Sequence, residues 1–340
     1  MTTRRLLDPA FPSSPAATSS ASTRFDWYAG VARRAPSKHN TQPWRFVLDG
    51  AALEVWGDPA RMLPETDPHR RELVISCGAA VHLACVAMRA IGVRPWVHLL
   101  PEGRGGPLAR LVELGDWDTS DEDRALLTAV EQRRTDRGPL DEASLPAALA
   151  FSLQAAAAAE GVTLRLVRSP GERLTLANLV EKADRLLVRR GRVDEELARW
   201  LREPSGGHAD GVPADHTRGP AASYRAEFVQ RDFSRPGTAP AQDRPGRDSP
   251  LLGVLCSPAD EQHDWLLTGA ALAAVLLRAT VAGANASYLN QPVEETASRS
   301  LLQSQLSLPG PPQLVLRLGR GGPVGPTPRR DLDEVSLRRT

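Results

Sequence analysis

The sequence contains 340 residues, of which 41% are apolar and 24% are charged, so one large or two ordinary soluble domains with a sizeable core can form. Its 42 basic and 41 acidic residues leave a net charge of +1, which predicts no general attraction to nucleic acid or to an anionic membrane. The three cysteines, Cys77, Cys85 and Cys256, are too few for a disulfide framework and favour a reducing, cytoplasmic location.

The first part of the chain predicts a tail, a helix, a hairpin and a long buried helix. Residues 1–23 are rich in Ser, Thr, Ala and Pro and lack an apolar block of signal-peptide length, which predicts a disordered tail. Asp49-Gly50 joins two short β-rich runs, which is a strong hairpin signal. The predicted elements are, in order, a helix at Arg24–Arg34, strands at Trp44–Leu48 and Leu53–Trp56, a helix at Pro68–Ile91, and strands at Arg94–Leu100 and Leu108–Leu114.

A second series of helices and strands follows, and one long segment interrupts it. Residues 203–250 are rich in proline and glycine and lack periodicity, which is typical of a disordered insertion or a functional lid. The apolar stretch Trp265–Gly283 is interrupted by polar residues, so we expect a core helix and no membrane span. The predicted elements are helices at Ser120–Arg133 and Glu142–Ala159, a strand at Val162–Val167, a helix at Gly171–Arg202, a strand at Leu251–Cys256, helices at Asp260–Ala282 and Glu294–Leu306, a strand at Gln313–Leu318, and an extended polar stretch in the final twenty residues.

The two series of helices and strands are similar in order, and each contains a central apolar helix. Ala79–Gly92 and Ala270–Gly283 both combine small residues with Leu and Val and end at glycine, which is a weak signal of an internal repeat. We therefore predict an α+β fold with two similar halves. The first half spans residues 24–118, and the second spans residues 119–340 with a lid-like insertion at 203–250.

Polar side chains crowd the turn directly before the first predicted strand. Ser37 can cap this turn, Asn40 offers both a donor and an acceptor, and Gln42-Pro43-Trp44 fixes an extended exit with an aromatic anchor. The residues alone leave two interpretations open. One is a capped turn with a buried tryptophan, and the other is edge recognition of a planar heterocycle that carries carbonyls and ring nitrogens.

A compact group of arginines marks the end of the helix predicted at Ser120–Arg133. Arg133, Arg134, Thr135 and Arg137 bring three guanidinium groups and one hydroxyl into a run of five residues. This set suits a dianionic phosphate, and the alternative is a solvated charge cluster. Only two of the basic residues in the chain are lysines, so any anion bound here is expected to contact guanidinium groups.

Four segments together resemble the nitroreductase superfamily. The Ser-x-x-Asn-x-Gln-Pro-Trp run at 37–44 resembles its flavin-contacting segment, and the run at 133–137 resembles its Arg-Arg-Ser-x-Arg phosphate element. Residues 291–294 resemble its Pro-x-Glu stretch, and residues 328–335 resemble its C-terminal basic pair and tail. From the residues alone, the segment at 291–294 also reads as a helix N-terminus with an acidic residue in its first turn.

The resemblance implies one FMN whose ligands come from both halves of the chain. It implies that Asn40 bonds the flavin beside Ser37 and Gln42. Arg133 and Thr135 are expected to hold the phosphate, with Arg134 in the same cofactor-binding element, and Arg329, or Arg330 in its place, is expected to return to that phosphate. Arg137 is expected to approach N1 and O2, and the backbone amide of Glu294, after Gln291 and Pro292, is expected to face N5.

The order of these segments resembles the Acg-like branch of actinobacteria, in which the asparagine segment precedes the arginine segment. Ordinary members of the superfamily are homodimers with two flavins at their shared interface. This chain has two similar series of helices and strands and one copy of each motif. The resemblance therefore implies an internal pseudo-dimer that contains one complete site. Such a chain is expected to be a monomer or a weak homodimer.

Two functions follow from the resemblance. The first is an oxidoreductase that moves hydride from NAD(P)H through FMN to a nitro compound, a quinone or a similar small aromatic acceptor. The alternative is a protein that binds and sequesters FMN under a lid, with little or no turnover. No side chain is assigned a catalytic role, although His39 could supply a proton. No metal is expected, because the spacing of Cys77, His82 and Cys85 is typical of core packing.

Overall fold

Two β-sheets and two central helices form the framework of the chain. The computed structural model describes residues 12–143, 145–203, 207–213, 228–229, 231 and 248–339. The α-helices are α1 (Ala21–Ala32), α2 (Arg71–Ala90), α3 (Asp121–Gln132), α4 (Leu149–Ala159), α5 (Pro170–Val188), α6 (Arg192–Ala198), α7 (Gln262–Val281), α8 (Gln291–Glu294), α9 (Thr296–Gln305) and α10 (Leu332–Val335). The strands are β1 (Trp44–Asp49), β2 (Ala52–Gly57), β3 (Val93–Leu99), β4 (Ala109–Asp116), β5 (Thr163–Val167), β6 (Leu201–Arg202), β7 (Val212–Pro213), β8 (Leu251–Cys256), β9 (Asn285–Tyr288), β10 (Pro312–Gly319) and β11 (Ser336–Arg339).

The first sheet has the strand order β11-β1-β2-β4-β3. Strands β1 to β4 pair in antiparallel fashion, and β1 and β2 form the predicted hairpin. Strand β11 pairs with β1 in parallel, with Phe46 opposite Ser336. Helices α1 and α2 share one hydrophobic core with this sheet, so the end of the chain completes a sheet that is built mainly from its beginning.

The second sheet has the order β5-β8-β10-β9, and all of its neighbouring strands are antiparallel. Side chains of α4 and α7 pack on one face, and side chains of α5 and α9 pack on the other. A sheet that is covered on both faces favours continuous apolar strands. This explains why β8 and β10 are buried at every position.

Helices α2 and α7 lie between the two sheets and contact each other at glycine. A Cβ atom added at Gly78 would collide with the Leu266 carbonyl, and one added at Gly269 would lie 2.7 Å from the Ala79 amide nitrogen. Hydrogen in place of a side chain therefore lets the two backbones touch. Both helices are long and apolar enough to cross a membrane, but 89% and 67% of their apolar windows are buried inside the structure, as is typical of core helices.

Several element boundaries differ from the sequence-based prediction. The helix predicted at Glu142–Ala159 begins only at Leu149. The helix predicted at Gly171–Arg202 is broken into α5 and α6, because the chain reverses at Gly191 with a φ of 63°. The short elements β9 and α8 were not predicted, and the final residues, which were expected to be extended throughout, contain α10 and β11.

The fold begins within the tail that was predicted for residues 1–23. Helix α1 begins at Ala21, where the Ser20 hydroxyl caps it by accepting a hydrogen bond from the Thr23 amide. The Pro12 carbonyl accepts a hydrogen bond of 3.1 Å from the Trp27 indole, so residues from 12 onward belong to the fold. Residues 1–11 and much of the segment 203–250 lie outside the described residues.

Candidate functional site

The predicted polar turn is a short 3₁₀ helix at residues 38–40 with an unusual backbone. His39, Asn40 and Gln42 have φ values of 50°, 55° and 51°, in the left-handed region that side chains other than glycine rarely adopt. The Ser37 hydroxyl stabilises this turn by accepting a hydrogen bond of 2.9 Å from the Gln42 amide. Backbone strain of this kind is found at functional sites, where surrounding contacts must maintain it.

The Asn40 side chain connects this turn to two distant segments. Its Nδ2 donates to the carbonyls of Gly211 at 3.0 Å and Pro328 at 3.1 Å. Its Oδ1 accepts from Arg329 Nη1 at 3.0 Å. The asparagine therefore contacts both the segment 203–250, which we call the insertion, and the final segment 320–339, which we call the C-terminal arm.

Gln42 makes the same two connections. Its side chain is fully buried, its Nε2 donates to the Ala209 carbonyl at 2.8 Å, and its Oε1 accepts from the Arg330 amide at 2.9 Å. The two amide side chains thus bond to backbone groups of the insertion and of the C-terminal arm.

Five arginines from three segments form a guanidinium cluster beside the turn, and they are buried or half-buried. Arg329 Nη2 donates to the Arg34 carbonyl at 3.1 Å, and Arg133 Nη2 reaches the same oxygen at 3.5 Å. Burial and the surrounding positive charges lower the pKa of Arg329 well below its usual value. Among the residues that the structure describes, Arg329 Nε finds no acceptor. The members of the cluster are Arg33, Arg34, Arg133, Arg134 and Arg329.

The predicted arginine segment runs from this cluster to strand β9. Arg134 donates to the carbonyls of Glu131 and Arg133, so it also caps the end of helix α3. Thr135 forms a backbone bridge with Ala286. Arg137 is half-buried, and desolvation lowers its pKa to about 10, although Tyr288 acts in the opposite direction.

Glu294 takes part in a buried ion network that the sequence did not reveal. Its carboxylate lies 2.5 Å from Arg231 of the insertion and 3.1 Å from Lys38. Lys38 also contacts Glu72 on helix α2 and donates to the Thr66 carbonyl at 3.0 Å. Burial opposes ionisation of Glu294, but the two cations outweigh it and hold the pKa well below its usual range. The glutamate is therefore charged and fixed in place.

The segment around Glu294 forms helix α8. Its backbone amide, which the resemblance directs at N5, donates to the Asn290 carbonyl at 3.1 Å. Gln291 Nε2 lies 3.4 Å from both Asp184 Oδ1 and the Val229 carbonyl. Pro292 is buried at the first turn of this helix, where a proline ring fits the backbone geometry.

The structure brings most of the predicted residues into one region. Asn40, Arg133 and Arg329 are linked directly or through the Arg34 carbonyl, and Glu294 is joined to the turn through Lys38. Six further residues contribute to this region and were not predicted from the sequence: Arg33, Arg34, Lys38, Glu72, Arg231 and Tyr288. Three of them had a local signal, because Arg33 and Arg34 lie just before the motif at 37–44 and Lys38 lies inside it.

The cysteines lie apart from this chemistry. All three are free and buried, and burial raises the pKa of the Cys85 and Cys256 thiols to about 12, which leaves them protonated and unreactive. Within the described ranges, no group of three or more His, Cys, Asp or Glu residues could hold a metal ion.

No protein-family model matches the chain, but proteins of Mycobacterium tuberculosis are similar to it over nearly their whole length. It is 33% identical over 313 residues to "Putative NAD(P)H nitroreductase Rv3131", which covers 90% of this chain and 88% of the relative. It is 31% identical over 312 residues to "Putative NAD(P)H nitroreductase acg", with 90% and 92% covered. It is 30% identical over 324 residues to "Uncharacterized protein Rv3127", with 91% and 92% covered.

Proposed function

This chain belongs to the nitroreductase family, in the branch that contains Acg, and we propose that it is an oxidoreductase that binds one FMN beside the turn at Asn40. We propose NAD(P)H as the hydride donor and a nitro compound, a quinone or a similar small aromatic molecule as the acceptor. Two of the relatives are named putative NAD(P)H nitroreductases, which supports this class of reaction.

The guanidinium cluster is the observation that carries the proposal. Guanidinium groups only donate hydrogen bonds and stay charged, so Arg133 and Arg329 suit a phosphate monoester better than a neutral group. Burial lowers the pKa of Arg329, and the like charges of the cluster lower it further. A dianion would relieve that repulsion, and Thr135 would add a hydroxyl donor. The donor set therefore fits the phosphate of FMN.

The remaining predicted residues suit the edge of a planar ring. Bound FMN would supply the hydride-transfer chemistry between a reduced nicotinamide and the acceptor. Arg137 would hold positive charge near the pyrimidine edge, and Asn40 would bond the ring after exchanging one of its present backbone partners. The Glu294 amide already donates to Asn290, so a ring nitrogen there would share that hydrogen.

We further propose that the chain is an internal pseudo-dimer in the cytoplasm. Each sheet packs on one long apolar helix, and the two helices, α2 and α7, contact each other. This arrangement supports two related halves. The chain then needs no second copy, so we propose a monomer or a weak homodimer. Three free, buried cysteines are compatible with a reducing compartment.

The first test is whether the purified protein carries flavin. We expect flavin absorbance and release of FMN on denaturation. Arg133→Ala should weaken FMN binding by about tenfold or more, because a charge-assisted hydrogen bond to phosphate is lost. Titration of the flavin-free protein with FMN, followed by fluorescence, measures both affinities.

A matched control keeps this test specific. Arg124 lies on helix α3, whose end is capped by Arg133, but its side chain is 61% exposed and pairs with Asp121. Arg124→Ala should therefore leave FMN affinity unchanged. Equal affinities for wild type and Arg133→Ala would reject the proposed phosphate site, and a wild-type protein that binds no FMN would reject the proposed function.

One observation favours a second function, storage of FMN with little turnover. Backbone groups of Ala209 and Gly211 occupy the amides of Gln42 and Asn40, and Arg231 bonds Glu294. The described residues of the insertion thus contact the site at three points, as expected of a cover. Addition of NADH or NADPH to the FMN-loaded protein separates the two functions, because a store would leave the flavin oxidised.

A further inference from the structure

Tyr288 ends strand β9 beside the proposed phosphate site and has a buried hydroxyl. Its ring packs against the core of the second sheet. The hydroxyl oxygen has no hydrogen-bond partner in the part of the chain that the structure describes. A buried hydroxyl without a partner costs free energy, and a phenylalanine would fill the same space without that cost. The hydroxyl therefore points to a ligand.

Backbone contacts hold strand β9 against the arginine segment. Ala286 pairs with Thr135, and its carbonyl accepts from the Asp136 amide at 2.9 Å. Asn285 Nδ2 donates to Asp136 Oδ2 at 3.0 Å. Tyr288 follows two residues after the bridge, so it has a fixed position relative to Arg133 and Arg137.

The charges around the phenol determine what it can do. Burial raises the pKa of Tyr288, against the opposing effect of Arg133 and Arg137, and Glu72 adds to the rise. The phenol is consequently protonated near neutral pH and can donate a hydrogen bond. Arg133 is also a donor, so a ligand group that satisfies both side chains must be rich in acceptors and negative charge.

We propose that the Tyr288 hydroxyl donates a hydrogen bond to a phosphate oxygen of the ligand that Arg133 binds. This inference rests on the proposed function and adds a residue from β9 to the phosphate site. It also gives the site a way to prefer FMN over riboflavin, because riboflavin has the same ring and polyol chain but no phosphate.

The test compares the affinities of Tyr288→Phe for FMN and riboflavin. We expect FMN binding to weaken by about tenfold, as is typical for loss of a hydrogen bond to a charged group, and riboflavin binding to change by less than about twofold. The flavin-free variant should unfold at the same temperature as wild type or higher, because the unsatisfied hydroxyl is gone. A residue with a merely structural role would not separate the two ligands.

Tyr28→Phe is the matched control. Tyr28 is fully buried, but its hydroxyl already donates to Glu113 at 2.9 Å. This variant should lose stability without ligand and keep wild-type affinity for FMN. If Tyr288→Phe binds FMN as wild type does, or weakens FMN and riboflavin equally, the inference is wrong while the proposed function stands. A wild-type protein that binds neither flavin would overturn both.

Discussion

His39 shows how the site controls the charge of a single side chain. The residue is 8% exposed, and it follows Lys38, which belongs to the ion network around Glu294. Burial and the positive charges of Lys38, Arg231 and Arg137 lower its pKa well below the usual value, although Glu294 acts in the opposite direction. The imidazole is therefore neutral at physiological pH, where it adds no further cation to an already positive region.

The lowered pKa predicts a loss of stability in acid. The unfolded chain takes up a proton at His39 near pH 6.5 but the folded chain does not, so stability is present above pH 6.5 and is lost as the pH falls. Between pH 7.5 and 5.5 the loss from this residue has an upper limit of about 1.4 kcal/mol, the value for a folded chain that takes up no proton there. His39→Asn should remove this part of the pH dependence in denaturant unfolding. Asparagine is suitable here because it tolerates the left-handed backbone.

The exposed residue His69 provides the control for this measurement. His69→Asn should show the same pH dependence of unfolding as wild type. If His39→Asn loses as much stability in acid as the wild-type protein does, then His39 is not the buried neutral group described above.

At the scale of elements, the contact between α2 and α7 sets the distance between the two sheets. Gly78 and Gly269 allow the helix backbones to touch, and a Cβ atom at Gly269 would meet the backbone of Ile75, Gly78 and Ala79. Backbone atoms cannot move aside as the end of a flexible side chain can. The crossing therefore depends on glycine at these two positions.

Gly269→Ala is expected to destabilise the protein by about 3 kcal/mol, the upper end for overpacking a core. Denaturant unfolding measures this free energy. Gly171→Ala is the matched control, because Gly171 also lies in a helix but has nothing within 4 Å of an added Cβ, and it should be neutral or stabilising. Equal effects of the two substitutions would mean that the helices separate easily.

The elements that were predicted well from the sequence are those that are apolar over most of their length. Helices α2 and α7 and strand β8 are apolar over most of their length because both sides are covered. Strand β9 has only four residues, Asn285–Tyr288, and exists because it pairs with β10 and with Thr135. Local pattern carries no signal for such a strand, since its partners are distant in sequence.

The candidate site depends even more on distant contacts. Asn40 and Arg329 are 289 positions apart and lie in hydrogen-bond contact, which no local periodicity could predict. The resemblance to a family placed them in one site, because it transferred a set of contacts rather than a pattern. Lys38 and Arg231 have no counterpart in the motifs used, so their pairing with Glu294 became visible only in the structure.

For the whole molecule, the C-terminal arm is the element that connects the two sheets. The arm leaves the second sheet after β10 and ends as β11 on the first sheet. On the way, Arg329 donates to the carbonyls of Arg34 and Ala35 at the end of helix α1. The arm thus places a fifth guanidinium group into the cluster, where the like charges oppose its docking.

An anion in the cluster should therefore stabilise the docked arm, because a ligand that binds only the docked form shifts the equilibrium toward it. We expect hydrogen exchange of residues 320–339, followed by mass spectrometry, to slow by about fivefold or more when FMN binds. Riboflavin at equal occupancy should give little protection, since it carries no phosphate to offset the charge of Arg329. Equal protection of the arm by FMN and riboflavin would show that ring contacts, rather than charge neutralisation, hold the arm in place. Equal exchange with and without FMN would show that the arm is docked independently of the ligand.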